Sequence, residues 1–168
     1  MGAQFGRFAS GTAPTPTPTP GPTLIDRTSG FAAFSAAPWA PNNLHLAPAG
    51  VPGPDGTGEA VRFTATGAYD LLFRAQAGTR IMRARVKAGT TNIFTLYMDV
   101  PGFTAANFNL ATGTISSGLA SASMTSLGGG WWEIEGSAVC AGNLGFGPDV
   151  NGTLGVDALL FDFGLYQG

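Results

Sequence analysis

Cysteine and histidine are nearly absent from this chain of 168 residues: there is one of each, Cys140 and His45. A lone cysteine excludes an intrachain disulfide and any metal site built on several thiolates. One histidine leaves no His-rich zinc site and at most a single Cys–His pairing for nucleophilic chemistry. The surroundings of the two residues read instead as a small buried thiol and a loop histidine. Charge is scarce as well, at 11% of residues where an ordinary soluble domain carries about 25%. The eight Lys and Arg form no dense run and the net charge is -2, which argues against a nucleic-acid partner. No stretch approaches the ~20 apolar residues of a membrane span. The opening residues MGAQFGRFAS lack the apolar centre of a secretion signal, and Gly6 stands where myristoylation needs Ser or Thr. The expectation is a protein made in a cytoplasm, with no membrane partner, that works elsewhere only if it leaves on a particle. Helical periodicity over ten or more residues is missing too, and no glycine-rich stretch has the lysine of a phosphate loop.

Glycine and proline are what the chain has instead, at 26 and 12 residues. Thr12 to Thr23 alternates Pro and Thr. Proline at every second position fixes φ and removes every second N–H donor, so this run is expected to be extended polyproline II. It would be a stiff spacer of ~30 Å. Only Met1 to Gly11 precede it, with Phe5 and Phe8 around Gly6 and Arg7. That is too short for a domain and reads as an anchor peptide, against the plainer reading of a tail. The expected layout is residues 1–11 anchor, 12–23 linker and 24–168 folded domain.

Residues 24–168 alternate in the manner of strands. Met82, Ala84 and Val86 share one parity, and Arg83, Arg85 and Lys87 the other. Phe94, Leu96, Met98 and Val100 oppose Thr95, Tyr97 and Asp99, and Trp132, Ile134 and Ala138 oppose Trp131, Glu133 and Glu135. LGVDALLFDFGLYQ, Leu154 to Gln167, reads as a final apolar strand or pair of strands. Turn signals such as PGPDGTG, VPG and LGGG separate these segments. The pattern predicts an all-β fold, an antiparallel β-sandwich or jelly roll behind an extended N-terminal arm.

If the middle strands share a sheet, one face collects Arg83, Arg85, Lys87, Thr95, Tyr97, Asp99, Trp131, Glu133 and Glu135. One reading is a solvated face held by cross-strand ion pairs, Arg83 or Arg85 to Glu133 or Glu135. The other is a sugar-binding face. Sugar C–H surfaces stack on aromatic rings, and sugar hydroxyls want bidentate partners such as Arg and Glu. Trp39, in AAPWAPNN, is a second candidate platform or else a plug over one end of the sandwich. Glu133 and Glu135 lie ~7 Å apart along the strand, inside the span of an inverting glycosidase pair. Side by side on one strand, however, they cannot easily flank a bond.

The ordered set PDGTGEAVRFTAT, RARVKAGTTNIFTLYM, NFNLATGTI and GGGWWEIEGSA resembles the carbohydrate-binding-module-like jelly-roll domain of phage and prophage virion proteins, from about Phe31 to the C-terminus. Trp132 and Glu133 replace the family's Tyr-Arg, and FDFGLYQG replaces its final Trp-Gly-x-Gln-x-Glu run. The resemblance implies a virion fibre or spike, on the head or tail of a phage or of a gene transfer agent. Met1–Gly11 would dock on other virion proteins and the domain would bind host surface glycan, without catalysis. Homo-oligomeric fibres fit this setting. The alternatives are a structural joint with no ligand and, further off, a glycan-cleaving enzyme. The expected sugar contacts are Trp131, Tyr97, Arg83, Arg85, Glu133 and Trp39. Some sugar-binding jelly rolls hold a structural calcium near the last strand, which makes Asp157 the residue to examine.

Overall fold

The computed structural model describes residues 21–148 and 153–168. Within them lie thirteen strands and one short helical turn, α1 (Phe31–Phe34). Sheet A has the order β10 (Ser121–Gly128), β11 (Trp131–Cys140), β6 (Gly78–Ala88), β13 (Asp157–Gln167), β4 (Glu59–Ala65) and β3 (Leu44–Pro52). Sheet B runs β2 (Ala40–Asn42), β5 (Leu71–Ala75), β12 (Asn143–Pro148), β7 (Ile93–Asp99), β8 (Phe103–Asn109) and β9 (Thr114–Ser117). Every pairing is antiparallel. The first and last strands close the domain: β1 (Thr23–Ser29) lies along the second half of β13, on the side where β4 covers the first half. Thr23, expected in the linker, already pairs with Gln167. The expected anchor peptide, and the expected linker as far as residue 20, lie outside the described residues.

The parity of the strands decides the core. Met82, Ala84 and Val86 of β6, Phe94, Leu96 and Met98 of β7, and Ile134 and Ala138 of β11 all point between the sheets. They meet Val61, Phe63, Phe146, Leu160 and Phe163 there, with Phe146 and Phe163 stacked at 4.6 Å. At about 25 cal/mol per Å² of apolar surface, burial of this many large side chains is the main force holding the sheets together. Strand β13 runs apolar on both parities because both its faces are covered. Leu160, Phe163 and Leu165 enter the main core, while Leu159 and Phe161 join a smaller cluster with Ala60 and Trp131 on the outer face of sheet A.

The sandwich alters one expectation at once. Strand β7 sits in sheet B, whereas β6 and β11 are neighbours in sheet A. The polar face expected from one sheet is therefore divided. Arg83, Arg85, Lys87, Glu133 and Glu135 share the outside of sheet A, and Thr95, Tyr97 and Asp99 lie in the opposite layer. His45 and Cys140 do not meet either: β6, β13 and β4 stand between their strands. His45 is exposed on β3 rather than in a loop, and the buried Cys140 thiol lies 3.0 Å from the Asn143 carbonyl oxygen.

Candidate functional site

Register builds the site on the outer face of sheet A. Across β6 and β11, Lys87 faces Trp131, Arg85 faces Glu133, and Arg83 faces Glu135. On the other side of β6, Arg83 faces Gly164 and Arg85 faces Asp162. The register of β13 shifts between Leu160 and Asp162, a β-bulge. A bulge sets two consecutive residues against one partner, and here Phe161 and Asp162 both come to the outer face. Phe161 joins the small outer cluster, and Asp162 turns toward Arg85.

Asp162 is the electrostatic centre. It is only 6% exposed. Arg85 donates from Nε to Oδ1 at 2.6 Å and from Nη2 to Oδ2 at 2.5 Å, a bidentate pair. Arg27 of β1 donates to the same Oδ2 from Nη2 at 2.6 Å. Burial pushes the Asp162 carboxyl up, but the hydrogen bonds and charges of Arg85 and Arg27 outweigh it and hold the group below its ordinary range. The same bond, working against desolvation, raises Arg85. Arg83 pairs with Glu135, donating from Nε at 2.9 Å, and is raised for the same reason. Of the cross-strand pairings expected on this face, Arg83 or Arg85 to Glu133 or Glu135, Arg83–Glu135 forms. Arg85 turns to Asp162 instead and leaves Glu133 opposite it. Among the described residues, Glu133 has no hydrogen bond or ion pair.

These groups enclose a cleft of about 280 Å³ lined by Arg27, Arg83, Arg85, Glu133, Asp162, Gly164 and Tyr166. Tyr166 is its aromatic wall. The ring folds back over Gly164, where a Cβ would lie 2.9 Å from a ring carbon, so only glycine leaves room for it. The Arg83 guanidinium sits 5.2 Å from the ring centroid, within cation–π range. A second hollow of about 280 Å³ shares Arg85 and Glu133 with the cleft and adds Pro54, Asp55 and Leu127. A third, of about 460 Å³, shares Pro54 and Leu127 and ends on Lys87 and Trp131. The three adjoin at these shared residues, a row of hollows that makes a groove along β6 and β11. Its far wall is the loop between β3 and β4. Asp55 caps that loop by accepting from the Thr57 amide at 3.0 Å and its hydroxyl at 2.8 Å, bonds that lower its carboxyl.

Three of the six expected contacts, Arg83, Arg85 and Glu133, come together in this cleft. The three aromatics do not. Trp131 has the outward parity expected of it, yet it is only 4% exposed. Phe161, brought out by the bulge, meets it edge-on at 6.3 Å, and Leu159 and Ala60 complete its cover. It still lines the third hollow, with the Lys87 ammonium 5.9 Å from its ring centroid. Tyr97 is 8% exposed in sheet B, packed edge-on against Phe73 at 5.6 Å. Burial first, then the charge of Asp99, raises its hydroxyl. Trp39 is 6% exposed and plugs one end of the sandwich, as the alternative reading had it. It lies against Phe146 and Phe163 and donates from Nε1 to Thr28 Oγ1 at 3.3 Å. Trp132, expected as core, is half-buried at the rim and donates to the Leu110 carbonyl at 2.9 Å.

Asp157 is committed to the chain itself. Its Oδ2 accepts from Arg62 at 2.8 Å and its Oδ1 from the Thr90 amide at 3.0 Å. No cluster of three or more His, Cys, Asp or Glu suited to a metal occurs among the described residues. Reading the sequence missed Arg27, Asp162 and Tyr166. The signal available was the outward series Asp162, Gly164, Tyr166 at alternate positions of an otherwise apolar strand.

No protein-family model matches the chain, and no curated protein matches its sequence. In fold it is similar to a bacterial carbohydrate-binding module. The match is to the crystal structure of the CBM22-1–GH10 modules of Clostridium thermocellum endo-1,4-beta-D-xylanase 10B complexed with xylohexaose. The TM-score is 0.52 at 14% identity, over 87% of this chain and 28% of that one. At this identity the likeness concerns the β-sandwich alone.

Proposed function

We propose that this chain is a glycan-binding module whose site is the groove on the outer face of sheet A, and that it binds without cleaving. The cleft carries the reading. It sets a half-exposed Tyr166 ring beside the fixed guanidinium of Arg83 and the carboxylate of Glu133, which has no hydrogen bond or ion pair among the described residues. A pyranose needs such a combination, an aromatic edge for its C–H face and rigid donors and acceptors for its hydroxyls. The likeness to a xylanase's carbohydrate-binding module supports the reading from the side of the fold. Binding without cleavage is supported by Glu135, which is tied to Arg83 rather than poised across a bond from Glu133. The finer proposal is a fibre or spike on a phage or phage-like particle that grips host surface polysaccharide. It rests on the sequence resemblance to virion jelly-roll domains and on the anchor-and-spacer composition of residues 1–23.

Screening on a glycan array, followed by titration of the best ligand into Tyr166→Ala, tests the site. Loss of about tenfold in affinity or more, with unchanged thermal stability, is expected. A silent array, or wild-type affinity in the variant, sinks it. The particle role is tested by seeking the chain in purified particles and deleting residues 1–11, which should abolish incorporation.

A further inference from the structure

Resting on the glycan reading, we infer that the ligand is uncharged, a neutral polysaccharide segment, and that Glu133 is the acceptor that selects it. The groove and the partners of its cations hold four positive groups, Arg27, Arg83, Arg85 and Lys87. They also hold four carboxylates, Asp55, Glu133, Glu135 and Asp162. The sum is zero, but the distribution matters more. Each cation already has an acceptor within the chain. Arg27 and Arg85 share Asp162, Arg83 holds Glu135, and the Lys87 ammonium donates to the Gly129 carbonyl at 2.8 Å. A carboxylated sugar would have to displace or share the buried Asp162 or compete with Glu135. Leaving a buried carboxylate without its partner is costly.

Glu133 is the one carboxylate of the groove with neither an ion pair nor a hydrogen bond among the described residues, and it lines both the polar cleft and the hollow beside it. It offers lone pairs and no donor. It therefore suits ligand hydroxyls and repels ligand carboxylates. A hydrogen bond to a charged acceptor contributes more than a neutral one, so two sugar hydroxyls on Glu133 would dominate the polar recognition. The arginines then hold Asp162 and Glu135 rather than bind anions.

Affinity electrophoresis of the full chain decides the matter, with four neutral polymers (xylan, mixed-linkage glucan, galactomannan, dextran), two polyuronates (alginate, polygalacturonate) and the polyamine chitosan. Each is run at low salt and at about 1 M NaCl, where the screening length is about 3 Å. Retardation by at least one neutral polymer, little changed by salt and absent with the charged polymers, is expected. Glu133→Ala should weaken it about tenfold and Glu133→Gln, which keeps a carbonyl acceptor, by less than about threefold. Salt-sensitive binding to a polyuronate or to chitosan overturns the inference and leaves the glycan reading standing. So does wild-type affinity in Glu133→Ala. Binding to none of the polymers, alongside a silent array, overturns both.

Discussion

Asp162 joins three strands through one buried carboxylate, and its chemistry sets a pH signature. Its folded pKa is lowered, so the pairing stabilises the protein above the ordinary carboxylate value of about 3.9 and fades as pH falls through the lowered value. Thermal midpoints should therefore hold down to about pH 4 and drop below it. Asp162→Asn should remove the part of that drop belonging to this residue. It should also cost about 2 kcal/mol at neutral pH, less than a fully buried pair because the Arg27 side chain is 61% exposed. A flat acid limb in the wild type, or an unchanged one in the variant, contradicts this. The tryptophans behave differently. Trp131 is packed, so Trp131→Ala should cost about 3 kcal/mol of stability as read by denaturant titration. Tyr166→Ala should cost little stability and most of the affinity.

At the scale of the element, the bulge in β13 decides what the site is made of. Parity along β6 and β11 was readable, and it placed Arg83, Arg85, Glu133 and Glu135 together correctly. A bulge has no period, so nothing in ALLFDFGL announced that Phe161 and Asp162 would emerge side by side. That single shift buries Trp131 under Phe161 and gives Arg85 a partner other than Glu133. Phe161 in turn needs Gly53. A Cβ there would lie 2.3 Å from the ring, far inside van der Waals contact. Gly53→Ala should push the loop between β3 and β4 off the ring, with a loss of about 1–3 kcal/mol and weaker glycan binding through the displaced groove wall. Wild-type melting in this variant would show that the loop does not clamp the ring.

At the scale of the whole molecule, alternation and turn spacing were enough to foresee a β-sandwich. Of the core residues expected on β6, β7 and β11, all but the half-buried Trp132 lie between the sheets. Which strands share a sheet was not readable, because pairing partners are far apart in sequence: β6 lies between β11 and β13. Tyr97 was misplaced for that reason, while the loop context of Trp39 left platform and plug both open and its burial decides for the plug. Both sheets share one continuous core, so heat or denaturant should unfold the sandwich in a single transition seen alike by tryptophan fluorescence and by backbone dichroism. Two separate transitions would contradict a common core.

The most direct test of the proposed glycan site is amide chemical-shift mapping with the best array ligand. Shifts confined to Arg27, Arg83, Arg85, Glu133, Gly164, Tyr166 and the loop from Gly53 to Gly58 are expected. Shifts centred on sheet B, or none at saturating ligand, would contradict the account.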